Sequence, residues 1–182
     1  MTIIIETERL LLRTWKKEDA DIYFQINQDL KVIEFLCGSL TMEQVVKFID
    51  AVNINQEKHG YTLWATELKK TGELIGFIGL NYTNFAAHFT PAVEVGWRLG
   101  SKYWGKGYAT EGAKSSIEYG FNRCKLKKIV SFTVPANLRS IGVMERIGLK
   151  RDFGGDFAHP KLERNHPLSL HILYRLINDK LE

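Results

Sequence analysis

The chain has 182 residues, 45% hydrophobic and 25% charged, the profile of one globular domain with a sizeable core, expected over residues 1–180. Apolar runs such as Leu74–Leu80 are far shorter than the about 20 residues a bilayer demands, so no membrane partner is expected. A net charge of +4 suits an anionic ligand and a solvated surface alike. The segment from Met1 to Arg13 has early acidic residues and no charged leader with a small-residue cleavage site, so no secretory signal is expected. Cys37 and Cys124 form neither a metal-ligand spacing nor a disulfide framework, and a reducing, cytoplasmic setting is the expectation. Leu181-Glu182 reads as an appended tail and is set aside.

In chain order, Ile3–Ile5 and Leu10–Arg13 are strand material, and 19–30 carries Ile22, Tyr23 and Ile26 at helical spacing. Thr41-Met-Glu-Gln44 is a capping box that opens a helix through Val45, Phe48, Ile49 and Val52. "YTLWATEL" and "ELIGFIGL", joined by Lys69-Lys-Thr-Gly72, predict an antiparallel hairpin. In "AVEVGWRL" the period of two puts Val93, Val95, Trp97 and Leu99 on one face, and Glu94, Gly96 and Arg98 on the other. The next helix repeats Ala109, Ala113, Ile117 and Phe121 every four residues, beside a small row of Gly112, Ser116 and Gly120 that permits close packing. "KKIVSFTV" is a short strand, Asn137–Ile147 a helix stopped by Gly148, and "SLHILYRL" a last strand. Two early helices, a hairpin and then β-α-β-α-β make a mixed α/β sheet.

Between strand and helix lies "YWGKGYAT", Tyr103 to Thr110. A helix start offers N–H groups without partners and a partial positive charge, and glycines before it let a pyrophosphate reach the backbone. Gly105 and Gly107 supply that approach. The P-loop pattern matches as far as Lys106 and then fails, because Gly107 stands where a Ser or Thr would ligate magnesium. The dinucleotide fingerprint fails at Thr110, where a third small residue belongs. A purely structural strand-to-helix turn is the remaining rival.

"VEVGWRLGSKYWGKGYATEGA" resembles the acyl-CoA-binding segment of the GCN5-related N-acetyltransferase (GNAT) superfamily, whose signature is Arg/Gln-x-x-Gly-x-Gly/Ala. Trp104 departs from it, standing where the family has Arg or Gln. "TERLLLRTWKKEDADIY" resembles the amino-terminal strand and helix of the subgroup that includes ribosomal-protein N-terminal acetyltransferases. "VPANLRSIGVMERIGLKR" resembles its second cofactor segment. The resemblance spans nearly the whole chain and implies a GNAT-like fold: a mostly antiparallel sheet with a splayed parallel strand pair, flanked by helices.

It further implies acetyl-CoA as acyl donor, no metal, and direct attack by a primary amine. The parallel strands would splay between "VEVGWRL" and "KKIVSFTV", and the pantetheine arm would pair with the backbone of Trp97, Arg98 and Leu99. The turn Gly105, Lys106, Gly107, Tyr108, Ala109 and Thr110 would cradle the pyrophosphate, and Asn137 would hydrogen-bond the pantetheine or simply cap its helix. A main-chain N–H near Val95 or Trp97 would polarise the thioester carbonyl.

Glu94 occupies the position where some members carry a catalytic glutamate, and would take the amine's proton directly or through a water. Its rival role is an ion pair with a surface Lys or Arg, or substrate orientation. Many relatives place a tyrosine where this chain has Met144, which cannot donate a proton to the leaving thiolate. Ser140 is the nearest substitute, against a helix-start hydroxyl that serves only the backbone. Cys124 has no paired His and is expected to pack rather than to form an acyl-enzyme. His159, Glu163 and His166 fall in a long polar loop without metal-ligand spacing, and Phe85, His88 and Phe89 either cover the cofactor strand or wall the substrate.

The acceptor is expected to be a protein N-terminal amine or a small-molecule amine, and the protein a monomer or homodimer. A CoA sensor or scaffold without turnover is the rival from another class. No nucleic-acid partner is expected, because Lys125, Lys127 and Lys128 form a lone cluster without base-stacking aromatics.

Overall fold

A computed structural model describes residues 1–178, so the tail at 181–182 lies outside the described residues. Five α-helices accompany one eight-stranded sheet. The strands are β1 (Ile3–Glu6), β2 (Leu10–Arg13), β3 (Leu63–Leu68), β4 (Leu74–Thr83), β5 (Ala92–Leu99), β6 (Lys128–Thr133), β7 (Lys150–Ala158) and β8 (Leu170–Ile177). The helices are α1 (Asp19–Ile26), α2 (Leu30–Ile33), α3 (Met42–His59), α4 (Tyr108–Asn122) and α5 (Leu138–Arg146). Strand order is β1-β2-β3-β4-β5-β6-β8-β7, antiparallel throughout except between β5 and β6.

The expected elements form, with two corrections. The early helix ends at Ile26 rather than Leu30, and a separate four-residue α2 starts at Leu30, capped by Asp29. The segment from Lys150 to Ala158, unassigned from sequence, is an edge strand, paired to β8 with a register shift between Asp152 and Phe157. Gly154-Gly155 falls inside that shift and interrupts the alternation that would have marked a strand.

The expected capping box is present: Thr41 Oγ1 accepts from Gln44 N–H, and Gln44 Oε1 accepts from Thr41 N–H. Helix α4 lies on β4 through its small row. A Cβ on Gly112 would come within 2.5 Å of Ile78, and one on Gly120 within 2.8 Å of Leu80. Larger residues there would push the helix off the sheet.

Register fixes the two faces of the sheet. Ile78 opposite Trp97 and Leu80 opposite Val95 point toward α4, in a core shared with Ala113, Ile129 and Val143. Phe77 opposite Arg98, and Asn81 opposite Glu94, point the other way. That second face carries two clusters. One joins Phe77 to Trp15, Tyr23 and Val45 under α1 and α3, and the other joins Phe89, Ala92, Val130, Phe157 and Leu173. Glu94 stands between them, two residues from Ala92 and in register with Val130.

Candidate active site

Strands β5 and β6 share a single registered pair, Glu94 opposite Val130, and Ser131 Oγ donates to the Val95 carbonyl at 2.9 Å where they part. The expected splay is therefore present. A cavity of about 660 Å³ opens beside it, between the end of β5, the turn, the starts of α4 and α5, and the α2 segment.

The turn's conformation follows from its glycines. Gly105 and Gly107 hold φ of +74° and +82°, which L side chains rarely adopt. Gly107 caps α4 without any side chain, so the N–H groups of Tyr108, Ala109 and Thr110 have no intrahelical acceptor; the first such bond is Glu111 N–H to the Gly107 carbonyl. A Cβ on Gly105 would meet no atom within 4 Å. The backbone is thus bare and donor-rich on this side.

No carboxylate lines the cavity, while Lys31, Arg98, Arg139 and Arg146 do. Glu111, in the first turn of α4, would oppose an anion, but it is neutralised. Burial works to raise its pKa, yet hydrogen bonds from Thr7 Oγ1 (2.6 Å), Arg9 N–H (2.9 Å) and Arg9 Nε (2.6 Å) outweigh it and hold the pKa down. Arg9 Nη1 also donates to the Lys106 carbonyl at 2.9 Å, fastening the turn to the β1–β2 connection. Uncapped donors and bare backbone, with Arg146 reaching Thr110 Oγ1 at 3.5 Å and Arg139, itself paired with Glu34, over Trp104, form a set that fits a diphosphate.

Most expected cofactor residues line this one cavity: Trp97, Arg98, Leu99, Gly105, Gly107, Tyr108, Ala109, Thr110, Asn137 and Ser140. Lys106 stays outside it, with its ammonium over the Tyr103 ring at 5.9 Å. Trp104 braces the turn, because its indole N–H donates to the Leu99 carbonyl at 2.8 Å and Arg139 stacks on it at 4.7 Å. Asn137 caps α5, its Oδ1 accepting from Ser140 N–H at 3.2 Å and its Nδ2 donating to Thr133 Oγ1 at 3.1 Å. Because Asn137 does the capping, the Ser140 hydroxyl makes no hydrogen bond with the described residues, and the residue borders the cavity. Met144 is buried in the core.

Glu94 lies on β5 beyond the cavity lining, half-buried. No Lys or Arg among the described residues lies within ion-pair distance of it, so the surface ion pair entertained from sequence does not occur. Burial pushes its carboxyl up to about 7, against weaker pulls from Asn81 and Thr83, whose Oγ1 donates at 3.5 Å. A carboxylate poised near neutrality can exchange protons at working pH.

The remaining candidates are placed as follows. Burial raises the Cys124 thiol's pKa, which disfavours the nucleophilic thiolate. Phe85 and Phe89 pack with Phe132 and Phe157, and His159 joins them with its ring centre 4.9 Å from Phe85 and 5.1 Å from His171. They cover the β6–β8–β7 end of the Glu94 face. Among the described residues no group of three or more His, Cys, Asp or Glu could hold a metal, and no helix is long and apolar enough to cross a membrane.

Comparison with known proteins matches residues 9–150 to the acetyltransferase (GNAT) domain family. The chain belongs to the GNAT acetyltransferase family. Its fold likewise matches the ribosomal-protein-S5-alanine acetyltransferase structure from Vibrio fischeri, with a TM-score of 0.76 at 25% identity, covering 98% of each chain. YnaD of Bacillus subtilis, named as an uncharacterized N-acetyltransferase, is 32% identical over 81% of this chain and 83% of its own. FsC-acetyl coenzyme A-N(2)-transacetylase of Aspergillus fumigatus is 38% identical over 80% of this chain and 64% of its own. Within this GNAT domain, sequence reasoning missed one wall of the cavity: Lys31, Val32, Phe35 and Leu36 around α2, and Arg139 and Arg146 on α5. Helix α2 is too short to give a periodic signal, and nothing in the spacing of the arginines ties them to the turn.

Proposed function

We propose that this GNAT domain transfers the acetyl group of acetyl-CoA to a primary amine by direct attack, and that the amine is a protein N-terminus. One observation carries the reading: a single cavity joins the uncapped start of α4 to Trp97–Leu99 of β5, past the one registered pair that β5 makes with β6. The N–H groups of Tyr108, Ala109 and Thr110 bind the pyrophosphate, and the end of β5 aligns the arm that leads to Glu94. Acetyl-CoA supplies the activated acyl group.

Glu94 removes a proton from the incoming amine, its elevated pKa suiting a base that works near neutrality. An α-amine, with an ordinary pKa of about 7.7–8.0, requires far less help than a lysine at about 10.4. Ser140 Oγ, without a hydrogen-bond partner among the described residues, donates a hydrogen bond to the departing sulfur.

Support for an N-terminal acceptor comes from the structural likeness to the S5-alanine acetyltransferase. A second reading, a small-molecule amine, is favoured by the relative named for N(2) acetyl transfer. Purified protein, acetyl-CoA and a panel of N-terminal peptides and small amines, read by thiol release, tests both. Faster turnover of peptides is the expected outcome. Turnover of small amines alone selects the second reading, and tight CoA binding without turnover of any amine would reveal a sensor.

A further inference from the structure

Four arginines of the described chain are not exposed: Arg13, Arg98, Arg151 and Arg175. Three of them meet carboxylates, Arg13 with Asp19 and Glu67, Arg151 with Asp156, and Arg175 with Asp152. Arg98 meets none. Its Nη1 donates to Asn27 Oδ1 at 2.7 Å and to the Tyr23 hydroxyl at 3.3 Å, and its guanidinium lies 5.7 Å from the Phe77 ring centre. Asn27 and Tyr23 are both fully buried, and Asn27 is itself oriented by its Nδ2 donating to the Tyr23 carbonyl at 2.7 Å. The guanidinium is thus fixed by neutral partners, and its Nε and Nη2 donors make no hydrogen bond with the described residues. A cation withdrawn from water without a counter-charge gains one only when an anion enters. Arg98 lines the cavity, as does Lys31 of α2, which belongs to no ion pair among the described residues.

We propose that Arg98, assisted by Lys31, holds a carboxylate of the acceptor, so that the acceptor is an acidic peptide whose negative side chain follows shortly after its terminal amine. This deepens the acetyl-transfer reading and rests on it. The donor's phosphates are a less fitting occupant. They belong at the start of α4, whereas Arg98 projects from the opposite face of β5, toward α1.

Gly96, without a side chain, lies between base and cation. Glu94, Gly96 and Arg98 share that face, and a Cβ on Gly96 would meet only ordinary contacts with Leu63 and Glu94. Four strand residues put the Cα atoms of Glu94 and Arg98 about 13 Å apart. A free α-amino acid carries its ammonium and carboxylate on one carbon and cannot span that distance. A peptide with Asp or Glu a few residues from its start can.

The test compares peptides that differ only by Asp or Glu against Asn or Gln at positions two to four, at saturating acetyl-CoA. A charge-assisted hydrogen bond predicts kcat/KM about tenfold or more in favour of the acid. Arg98→Met should bring the acidic peptide down to the amide's level, Arg98→Lys should retain part of the preference, and Lys31→Ala should weaken it; any change in KM for acetyl-CoA should be smaller than the change in the acid-to-amide ratio. Equal use of acidic and amide peptides by the unmodified protein would overturn the proposal while leaving acetyl transfer intact. A rise in KM for acetyl-CoA larger than the change in the acid-to-amide ratio, in Arg98→Met and Arg98→Lys, would assign Arg98 to the donor's phosphates and also overturn it. Absence of turnover with every peptide and amine would overturn both readings together.

Discussion

Helix α1 holds an arginine at each end, and the two are treated in opposite ways. At its start Asp19 forks onto Arg13, with Nη1–Oδ2 at 2.7 Å and Nη2–Oδ1 at 2.8 Å, while Glu67 of β3 takes Nε at 2.8 Å. At its end Asn27 and Tyr23 offer Arg98 only neutral oxygens. Burial opposes the charge on Arg13, but its two carboxylates outweigh that and push its pKa up. The Arg13 group is electrostatically complete and does not line the cavity. Strand β5, by contrast, carries two groups on one face that lack an opposite charge among the described residues, Glu94 and Arg98. Stability and chemistry are thus assigned to different strands, and substitutions should separate them.

The largest effect is expected at Glu94. Glu94→Gln keeps the shape and removes proton acceptance, and general-base catalysis is worth about 10²–10⁴-fold, so turnover near neutral pH should fall by that range. Activity of the unmodified protein should rise through about pH 7 as Glu94 ionises, and the variant should lack that inflection. Its deficit should shrink at higher pH, where more of the amine is already neutral. Stability should move in the opposite sense. The folded pKa of about 7 lies above the ordinary 4.5, so Glu94's contribution is fully present below 4.5 and lost as pH rises through 7. Thermal melts should therefore show Glu94→Gln gaining on the unmodified protein between about pH 4.5 and 7 and levelling off above that, by about 3 kcal/mol at most. Retained turnover across the pH range would make Glu94 structural.

Arg13→Met is the converse. Removing one member of a buried ion pair costs about 3–5 kcal/mol, because Asp19 and Glu67 stay behind uncompensated. Denaturant unfolding should register that loss, while acetyl-CoA affinity of the folded protein stays unchanged. An affinity loss matching the stability loss would erase the distinction between the two ends of α1.

This division was only half legible in the sequence. Alternation in "AVEVGWRL" placed Glu94 and Arg98 together, because a period of two is a local property. The turn at Gly105 and Gly107, the Thr41 capping box and the stop at Gly148 are local as well. What distinguishes Arg98 from Arg13 is not local: Glu67 lies 54 residues from Arg13, and Asn27 lies 71 from Arg98. Strand β7 went unseen for a related reason, since its pairing with β8 sustains it despite an irregular pattern. Helix α2, which supplies Lys31 and a wall of the cavity, is too short to announce itself.

At the far end of the cavity, Ser140→Ala removes the one hydroxyl proposed to meet the leaving sulfur. A hydrogen bond to a charged group is worth about 1.5–3 kcal/mol, so kcat should fall about 10–100-fold at saturating acetyl-CoA. This deficit should not shrink as pH rises, since serine does not titrate there, which sets it apart from Glu94→Gln. The fold should be unaffected, because Asn137 already caps α5.

The smallest effect isolates backbone approach from backbone strain. Gly105 and Gly148 both hold positive φ, +74° and +92°, and a Cβ on either meets no protein atom within 4 Å. Gly105 lines the cavity and Gly148 does not. Alanine at either site should cost about the same stability, on the order of 1–2 kcal/mol for a left-handed L-residue. Only Gly105→Ala should also weaken acetyl-CoA, because only there would the new methyl stand where the pyrophosphate approaches. Gly107→Val adds bulk at the cap itself, where even a Cβ would come within 3.3 Å of Arg9 Nη2, so it disturbs both the turn and its fastening. Calorimetry should give a loss of about tenfold, roughly 1.4 kcal/mol, for Gly105→Ala, more for Gly107→Val, and none for Gly148→Ala. Equal affinity for the two alanine variants would mean that the glycines at the turn serve its conformation alone and that the phosphates bind elsewhere.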